Sequence, residues 1–426
     1  MPIGAASPPQ ADPDRRPAAA TWRQVGLLAL VTAVAVGGFA WYGLRHNFFD
    51  LKIYHSAMRW WASGHPLYEF WQPDDTQGRL EFTYPPFAAL LLRPLGSLTV
   101  GQAVASYVVV SIGLLALSLW WLARPLADRY GWPRWLTFGL ALVLATGLEP
   151  IREAFMLGQI NVILWTLILL DLLILLPRRS RLVGVGIGLA TAIKLVPGIF
   201  IVYLLVARRW RAALVAAGTA VAATLLAAAI SPSASWQFWT DRLRHGEGVG
   251  QLGYEFNQSI LGMLARITEP DQPDRAVWLV LVVPVLGYGM WRAARAAGAG
   301  DEVAGIALTG IVGSLISPVT WVHHVFWLVP ALMVLVGAAA RPADVVAGVR
   351  RPATALGVAI TGYATVTVSL ISLWAFQLGR PGGALGFVLT NWLVWVMIIL
   401  LATLPVRRGE VAPVQPDQEP VARTAH

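Results

Sequence analysis

Apolar runs fenced by arginines recur along this chain and leave it few folds to choose from. The first is Gln24–Leu44, and others follow at about 101–123, 135–148, 155–176, 212–230, 276–292, 303–316, 319–339, 354–376 and 384–404. A helical crossing of a bilayer needs roughly 20 apolar residues. Lipid offers backbone polar groups no partner, so each crossing segment must bond within itself as a helix. With 57% of 426 residues apolar and 13% charged, an ordinary soluble domain and a disordered chain are both excluded. The expected fold class is an all-α integral membrane protein, a polytopic bundle over residues 22–407.

The basic residues set sidedness. Arg124/Arg129/Arg134, Arg178/Arg179/Arg181, Arg208/Arg209/Arg211, Arg292/Arg295, Arg341/Arg350/Arg351 and Arg407/Arg408 belong on the cytoplasmic side by the positive-inside rule. The net charge of +9 is therefore topological. No basic patch surrounds a soluble core, and no nucleic-acid partner is expected. The stretch 182–207 has basic clusters at both ends, so it must enter and return, yet it is too short for two full spans. Two short helices meeting near Lys194-Leu195-Val196-Pro197-Gly198 satisfy this if the break is buried in protein or faces a cavity. Counting that pair gives about twelve crossings, both termini inside, and loops 45–100 and 231–275 on the outer face. Gln24–Leu44 lacks a small-residue cleavage site and reads as an anchor. The polar tails 1–21 and 408–426 read as disordered.

Several chemistries are absent. The chain has no cysteine, which removes disulfides and thiol catalysis. There is no Walker loop and no dinucleotide-binding glycine motif; Gly184, Gly186 and Gly188 lie in a membrane segment and read as close helix packing. No cofactor is expected.

The outer loops carry the candidates. Asp50 stands at a membrane exit, where it either caps a helix beginning at Leu51 or does chemistry. Leu51–Ser63 is amphipathic, with Ile53, Ala57, Trp60 and Trp61 on one side and Lys52, His55 and Arg59 on others, and reads as an interfacial helix. Polar groups at membrane depth are functional candidates because lipid cannot solvate them. They are Gly158-Gln159-Ile160-Asn161, Lys194, Glu255-Phe256-Asn257-Gln258-Ser259 and Ser317-Pro318-Val319-Thr320-Trp321-Val322-His323-His324. Adjacent histidines on a helix point about 100° apart, so only one of His323 and His324 should face a shared cavity. Acidic partners at ligand spacing are missing, so no metal is expected. Asp50, Lys194 and one of the histidines put a carboxylate and two potential cations on one side of the membrane. That set suits a polyprenyl-phosphate sugar donor: the carboxylate takes a proton from an acceptor hydroxyl and the cations stabilise the departing phosphate.

These residues carry a resemblance. Phe49-Asp50-Leu51-Lys52-Ile53-Tyr54, Phe82-Thr83-Tyr84-Pro85-Pro86-Phe87, Gly158-Gln159-Ile160-Asn161-Val162, Lys194-Leu195-Val196-Pro197, Phe256-Asn257-Gln258-Ser259 and the Ser317–His324 stretch together resemble glycosyltransferase family 87. Its members include actinobacterial polyprenol-phosphate-mannose-dependent α-1,2-mannosyltransferases with the GT-C fold. The resemblance implies an inverting transfer of mannose from polyprenyl-phosphate-mannose to a glycolipid or mannan acceptor of the phosphatidylinositol mannoside or lipomannan type. It puts the general base on Asp50 and the donor phosphate on Lys194, His323 and His324. It makes Lys52, Tyr54, Tyr84, Gln159, Asn161, Glu255, Asn257 and Gln258 candidate substrate-binding residues. Membrane lipids are the other expected partners, and the plasma membrane the expected place. Two other readings remain: an arabinofuranosyltransferase using decaprenyl-phosphate-arabinose, and a transporter or flippase of lipid-linked substrates.

Overall fold

A computed structural model describes residues 21–42, 47–74, 78–243, 251–268, 272–368 and 382–409. The expected terminal tails fall almost wholly outside these residues. The described residues are mostly helical. In order come α1 (Trp22–Tyr42), α2 (Phe49–Ala62), α3 (Pro86–Leu92), α4 (Val100–Tyr130), α5 (Arg134–Gly147), α6 (Glu149–Leu157) and α7 (Asn161–Leu169). Then follow α8 (Val185–Ile193), α9 (Ile199–Val206), α10 (Trp210–Ile230), α11 (Pro232–Gln237) and α12 (Ile260–Ala265). The last described are α13 (Arg275–Gly298), α14 (Glu302–Ile316), α15 (Leu328–Ala340), α16 (Pro352–Val368), α17 (Gly383–Thr390) and α18 (Trp392–Thr403). Two small antiparallel ladders interrupt them: β1 (Trp71–Asp74) with β2 (Gly78–Glu81), and β3 (Val345–Ala347) with β4 (Val406–Arg407).

Among the described residues, three helices are long and apolar enough to cross a membrane: α4, α10 and α13. α17 and α18 qualify together but are bent by 64°. Shorter apolar helices account for the rest, among them α5, α14, α15 and α16. Local chemistry sets the ends of the longest helix. Thr99 and Gln102 form a capping box at the start of α4, which satisfies two otherwise orphaned donors. Gly131 ends it in the left-handed region at φ 69°, a conformation that glycine adopts without steric cost.

The stretch 182–207 forms the expected pair of short helices, α8 and α9, broken at Lys194–Gly198. The glycines of α8 pack as the sequence implies. A Cβ at Gly184 or Gly188 would strike backbone oxygens of α10, and one at Gly186 would strike the carbonyl of Leu167. Asp171, wholly buried in the π-turn that continues α7, accepts from the backbone N–H of Ile187 at 2.7 Å. A carboxylate there complements the positive end of α8.

Two expected spans are not continuous. The run 155–176 breaks at Gly158–Ile160, because Gly158 takes φ 80° and ends α6. The run 319–339 becomes helical only at Leu328. Before that, Pro318 and the hydrogen bonds of Thr320 hold an extended segment and a short 3-10 turn, Val322–His324. The two histidines therefore lie on a turn and not on a regular α-helix.

Candidate active site

The site is built around the break at Gly158. A Cβ there would collide with the side chain of Leu51, so glycine is what lets the start of α2 approach the end of α6. Phe48 reinforces the approach: its N–H donates to the carbonyl of Met156 at 2.7 Å, and it is the N-cap of α2 in the left-handed region. Asp50 is consequently not a cap. It sits in the first turn of α2, where the helix dipole favours the ionised carboxylate.

Gln159 reaches Asp50 from the break: its Nε2 donates to Oδ2 at 2.5 Å. The Oε1 of the same amide accepts from the Tyr84 hydroxyl at 3.0 Å, and Tyr54 and Tyr84 touch hydroxyl to hydroxyl at 3.0 Å. Tyr84 is itself fixed, since Tyr68 donates to its carbonyl at 2.8 Å. Burial holds the hydroxyls of Tyr54 and Tyr84 well above their ordinary range, and the nearby Asp50 charge pushes the same way. Both therefore remain protonated donors.

Asn161, two residues on, serves the other half of the site. Its Nδ2 donates to the carbonyl of His323 at 2.8 Å, and its Oδ1 accepts from Lys194 Nζ at 3.2 Å. Lys194 also stands 2.9 Å from His324 Nε2 and 5.3 Å above the ring of Tyr84. No carboxylate of the described residues forms an ion pair with it. The tautomer of His324 follows from its other nitrogen, because the backbone N–H of Trp321 donates to Nδ1 at 3.2 Å. A neutral ring that accepts at Nδ1 carries its proton on Nε2, so ring and amine share one hydrogen bond at 2.9 Å and each can offer an N–H to an anion that enters beside them. Such a pair calls for an anion that accepts from both. A cavity opens beside them, polar at Asn161, Lys194, Thr320 and His324 and walled by Trp165, Phe200 and Trp327.

The remaining candidates divide. The Asn257 amide donates to the carbonyl of Leu252 at 3.0 Å and accepts from the Thr320 N–H at 2.9 Å. Gln258 donates to the carbonyls of Glu255 and Thr390 and accepts from the N–H groups of Leu393 and Val394. Both amides are thus committed to backbone, clasping the 251–259 loop to the Ser317–His324 segment and to α18. Glu255 is buried beside them. Lys52 is half-buried on α2, two residues from Asp50 and so on a different face of the helix. His55, expected on a polar face, is buried and bonds through Nε2 to the carbonyl of Leu98 at 2.9 Å. Tyr107 escaped sequence reasoning. Its hydroxyl donates to the carbonyls of Ala154 and Gln159 and so fixes the backbone of the break, but an aromatic in an apolar run carries no local signal of that role.

The profile of glycosyltransferase family 87 matches residues 82–318. A protein of Mycobacterium tuberculosis, named polyprenol-phosphate-mannose-dependent alpha-(1-2)-phosphatidylinositol mannoside mannosyltransferase, is 34% identical over 72% of this chain and 75% of its own. Its namesake in Mycolicibacterium smegmatis is 32% identical over 95% of this chain and 94% of its own. A further M. smegmatis protein, named for a phosphatidylinositol pentamannoside acceptor, is 30% identical over 89% of this chain and 88% of its own. No solved structure matches. With the profile spanning more than half of the sequence and relatives aligned along nearly all of it, the chain belongs to glycosyltransferase family 87.

Proposed function

We propose that this protein is a polyprenol-phosphate-mannose-dependent α-1,2-mannosyltransferase of the plasma membrane that elongates a phosphatidylinositol mannoside or related mannan glycolipid. The reaction is a single inverting displacement. Asp50 takes the proton of an acceptor hydroxyl, and the freed oxygen attacks the anomeric carbon of mannose. The bond from that carbon to the phosphate oxygen breaks, and its electron pair leaves with the polyprenyl phosphate. Lys194 and His324 receive the growing negative charge. The observation that carries this reading is Lys194, bonded to His324 at 2.9 Å and to a neutral amide at 3.2 Å, with no carboxylate of the described residues paired to it. The arrangement is shaped for an anion that arrives with substrate.

The site belongs, on this reading, to the extracytoplasmic face of a bundle of about twelve crossings. Supporting this, Asp128, Asp301, Glu302 and Asp344 pair with arginines of the clusters assigned to the cytoplasm, whereas Asp50 and Lys194 take no part in those pairs. The absence of cysteine makes single-cysteine labelling a clean test: Ser63→Cys should react with an impermeant maleimide from outside, and Arg178→Cys only after permeabilisation. The activity itself is tested with purified protein in liposomes given polyprenyl-phosphate-mannose and a phosphatidylinositol mannoside. Mannose should pass to the glycolipid in an α-1,2 linkage. A preference for polyprenyl-phosphate-arabinose, or movement of lipid without transfer, would overturn the proposal.

A further inference from the structure

Asp50 and Tyr54 stand one helical turn apart on α2 and therefore share a face. The contacts that leave this face return to it. Gln159 Oε1 can only accept and its Nε2 can only donate, so Gln159 donates to Asp50 Oδ2 and accepts from Tyr84. The single hydroxyl proton of Tyr84 is thereby committed to Gln159. The 3.0 Å contact between the tyrosines must then run from Tyr54 to Tyr84. Every donor is assigned: Tyr54 to Tyr84, Tyr84 to Gln159, Gln159 to Asp50. The ring closes through the α2 backbone, and its three uncharged members are each no more than 7% exposed. Outside it, Tyr68 and Tyr107 pin the backbones of Tyr84 and Gln159.

We infer that Tyr54, Tyr84 and Gln159 are positioning residues that act as one directional hydrogen-bond ring, orienting the Asp50 carboxylate, and that they are not ligands of either sugar. The inference rests on the proposed role of Asp50 as base. Direction matters because a reversed Gln159 amide would turn its carbonyl on the carboxylate and its NH2 on the Tyr84 hydroxyl. Tyr84 has a second use, since its ring face lies under the Lys194 ammonium at a cation–π distance. One side chain thus reaches the base through Gln159 and the phosphate half of the site directly, using different parts of itself. Among the described residues, Tyr54 on its own helix, Tyr84 before α3, Tyr107 on α4 and Lys194 at the end of α8 all feel the Asp50 charge.

The test is steady-state kinetics in liposomes with polyprenyl-phosphate-mannose and a phosphatidylinositol mannoside varied in turn, across pH, on variants shown to be monodisperse. Donation to the ionised carboxylate favours its charged form. In Gln159→Leu the acidic limb of the kcat profile should therefore move up by about one pH unit, and kcat should fall about 10- to 100-fold, as expected for a hydrogen bond to a charged group. Both KM values should hold. Tyr84→Phe keeps the ring and removes only the hydroxyl, so it tests the chain even if Gln159→Leu fails to fold. Its kcat should fall about two- to tenfold, with the limb displaced the same way and donor KM unchanged. Tyr84→Leu should add a rise in donor KM, and Tyr54→Phe should give the smallest effect. An unmoved acidic limb in folded Gln159→Leu and Tyr84→Phe would overturn the inference, as would a change confined to the KM of one substrate. Asp50→Asn separates the two claims: activity there refutes the base, whereas an inactive Asp50→Asn beside unmoved limbs refutes only the ring.

Discussion

Two sets of buried charges in this molecule are partnered differently. Where the arginine clusters gather, Arg407 and Arg209 meet carboxylates, while Arg292 is buried against the carbonyls of Leu401 and Leu404. Arg407 donates to Asp301 through Nε at 2.8 Å, a terminal nitrogen at 2.7 Å and its backbone N–H at 2.8 Å. Arg209 grips both oxygens of Glu302, which also accepts from Tyr203. Lys194, by contrast, has an amide oxygen and an imidazole for company. A charge taken from water without a partner is costly. The paired set therefore reads as structure, and the incomplete set reads as a place where substrate supplies what is missing.

Asp50→Asn should give the largest effect. The amide keeps the shape but cannot take the acceptor's proton, and loss of a general base typically costs about 10²–10⁴-fold. Turnover by a folded Asp50→Asn protein above roughly a tenth of wild type, measured as mannose transferred in liposomes, would dissolve the functional half of the comparison.

Asp301→Asn tests the structural half. Asparagine keeps the N-cap bond that Asp301 makes to Ala304 at the start of α14, so the change isolates the loss of charge opposite Arg407. Both partners are at most 7% exposed. Stranding one member of a buried pair typically destabilises by about 3–5 kcal/mol. Chemical unfolding in detergent should show that loss, while activity per folded molecule stays near wild type. A stable Asp301→Asn would mean that pairing here is incidental.

Lys194→Met should behave in reverse, with stability held or improved and function lost. Removing one electrostatic stabiliser of a leaving group costs about 10²–10³-fold, and the dependence on donor concentration should weaken more than that on acceptor. His324→Ala should resemble it. His323→Ala should be milder, because the His323 segment is tied into the site by its backbone carbonyl, which alanine retains. Equal, mild losses from the two alanines would return the pair to a plain packing role.

Much of this contrast was legible in the sequence, and the parts that were not have a common cause. Basic clusters at both ends of 182–207 sufficed to place a pair of short helices with Lys194 at the break between them. Glycines at alternate positions sufficed for close packing of α8. Asp50, Lys194 and one histidine could be grouped because sidedness is carried by arginine placement. The break at Gly158 was hidden inside an apolar run. Its φ of 80° is stabilised by the approach of Leu51 from far away in sequence, and hydrophobic periodicity reports only local neighbours. Gln159 lies in the break and Asn161 at the start of the next helix, and each serves a different half of the site. His55 was misplaced for a similar reason: its buried partner is a backbone carbonyl, which has no sequence signature. Asp301 and Arg407 were likewise invisible as a pair.

The smallest expected effect lies at the edge of the paired set and sharpens what pairing means there. Arg129 donates to Asp344 at 2.8 Å, a distance as good as that between Arg407 and Asp301. The exposures differ: 16% for Arg129 and 26% for Asp344 against 7% and 3% for the inner pair. Water and salt reach the outer pair, and part-exposed ion pairs are typically worth about 0–1 kcal/mol. Arg129 also keeps a second acceptor, the carbonyl of Arg408, so it is not stranded when the carboxylate is lost. Asp344→Asn should therefore cost less than about 1 kcal/mol in the assay that reveals Asp301→Asn, with the difference shrinking as salt is raised. A loss comparable to that of Asp301→Asn would mean that distance, and not burial, governs the value of these pairs.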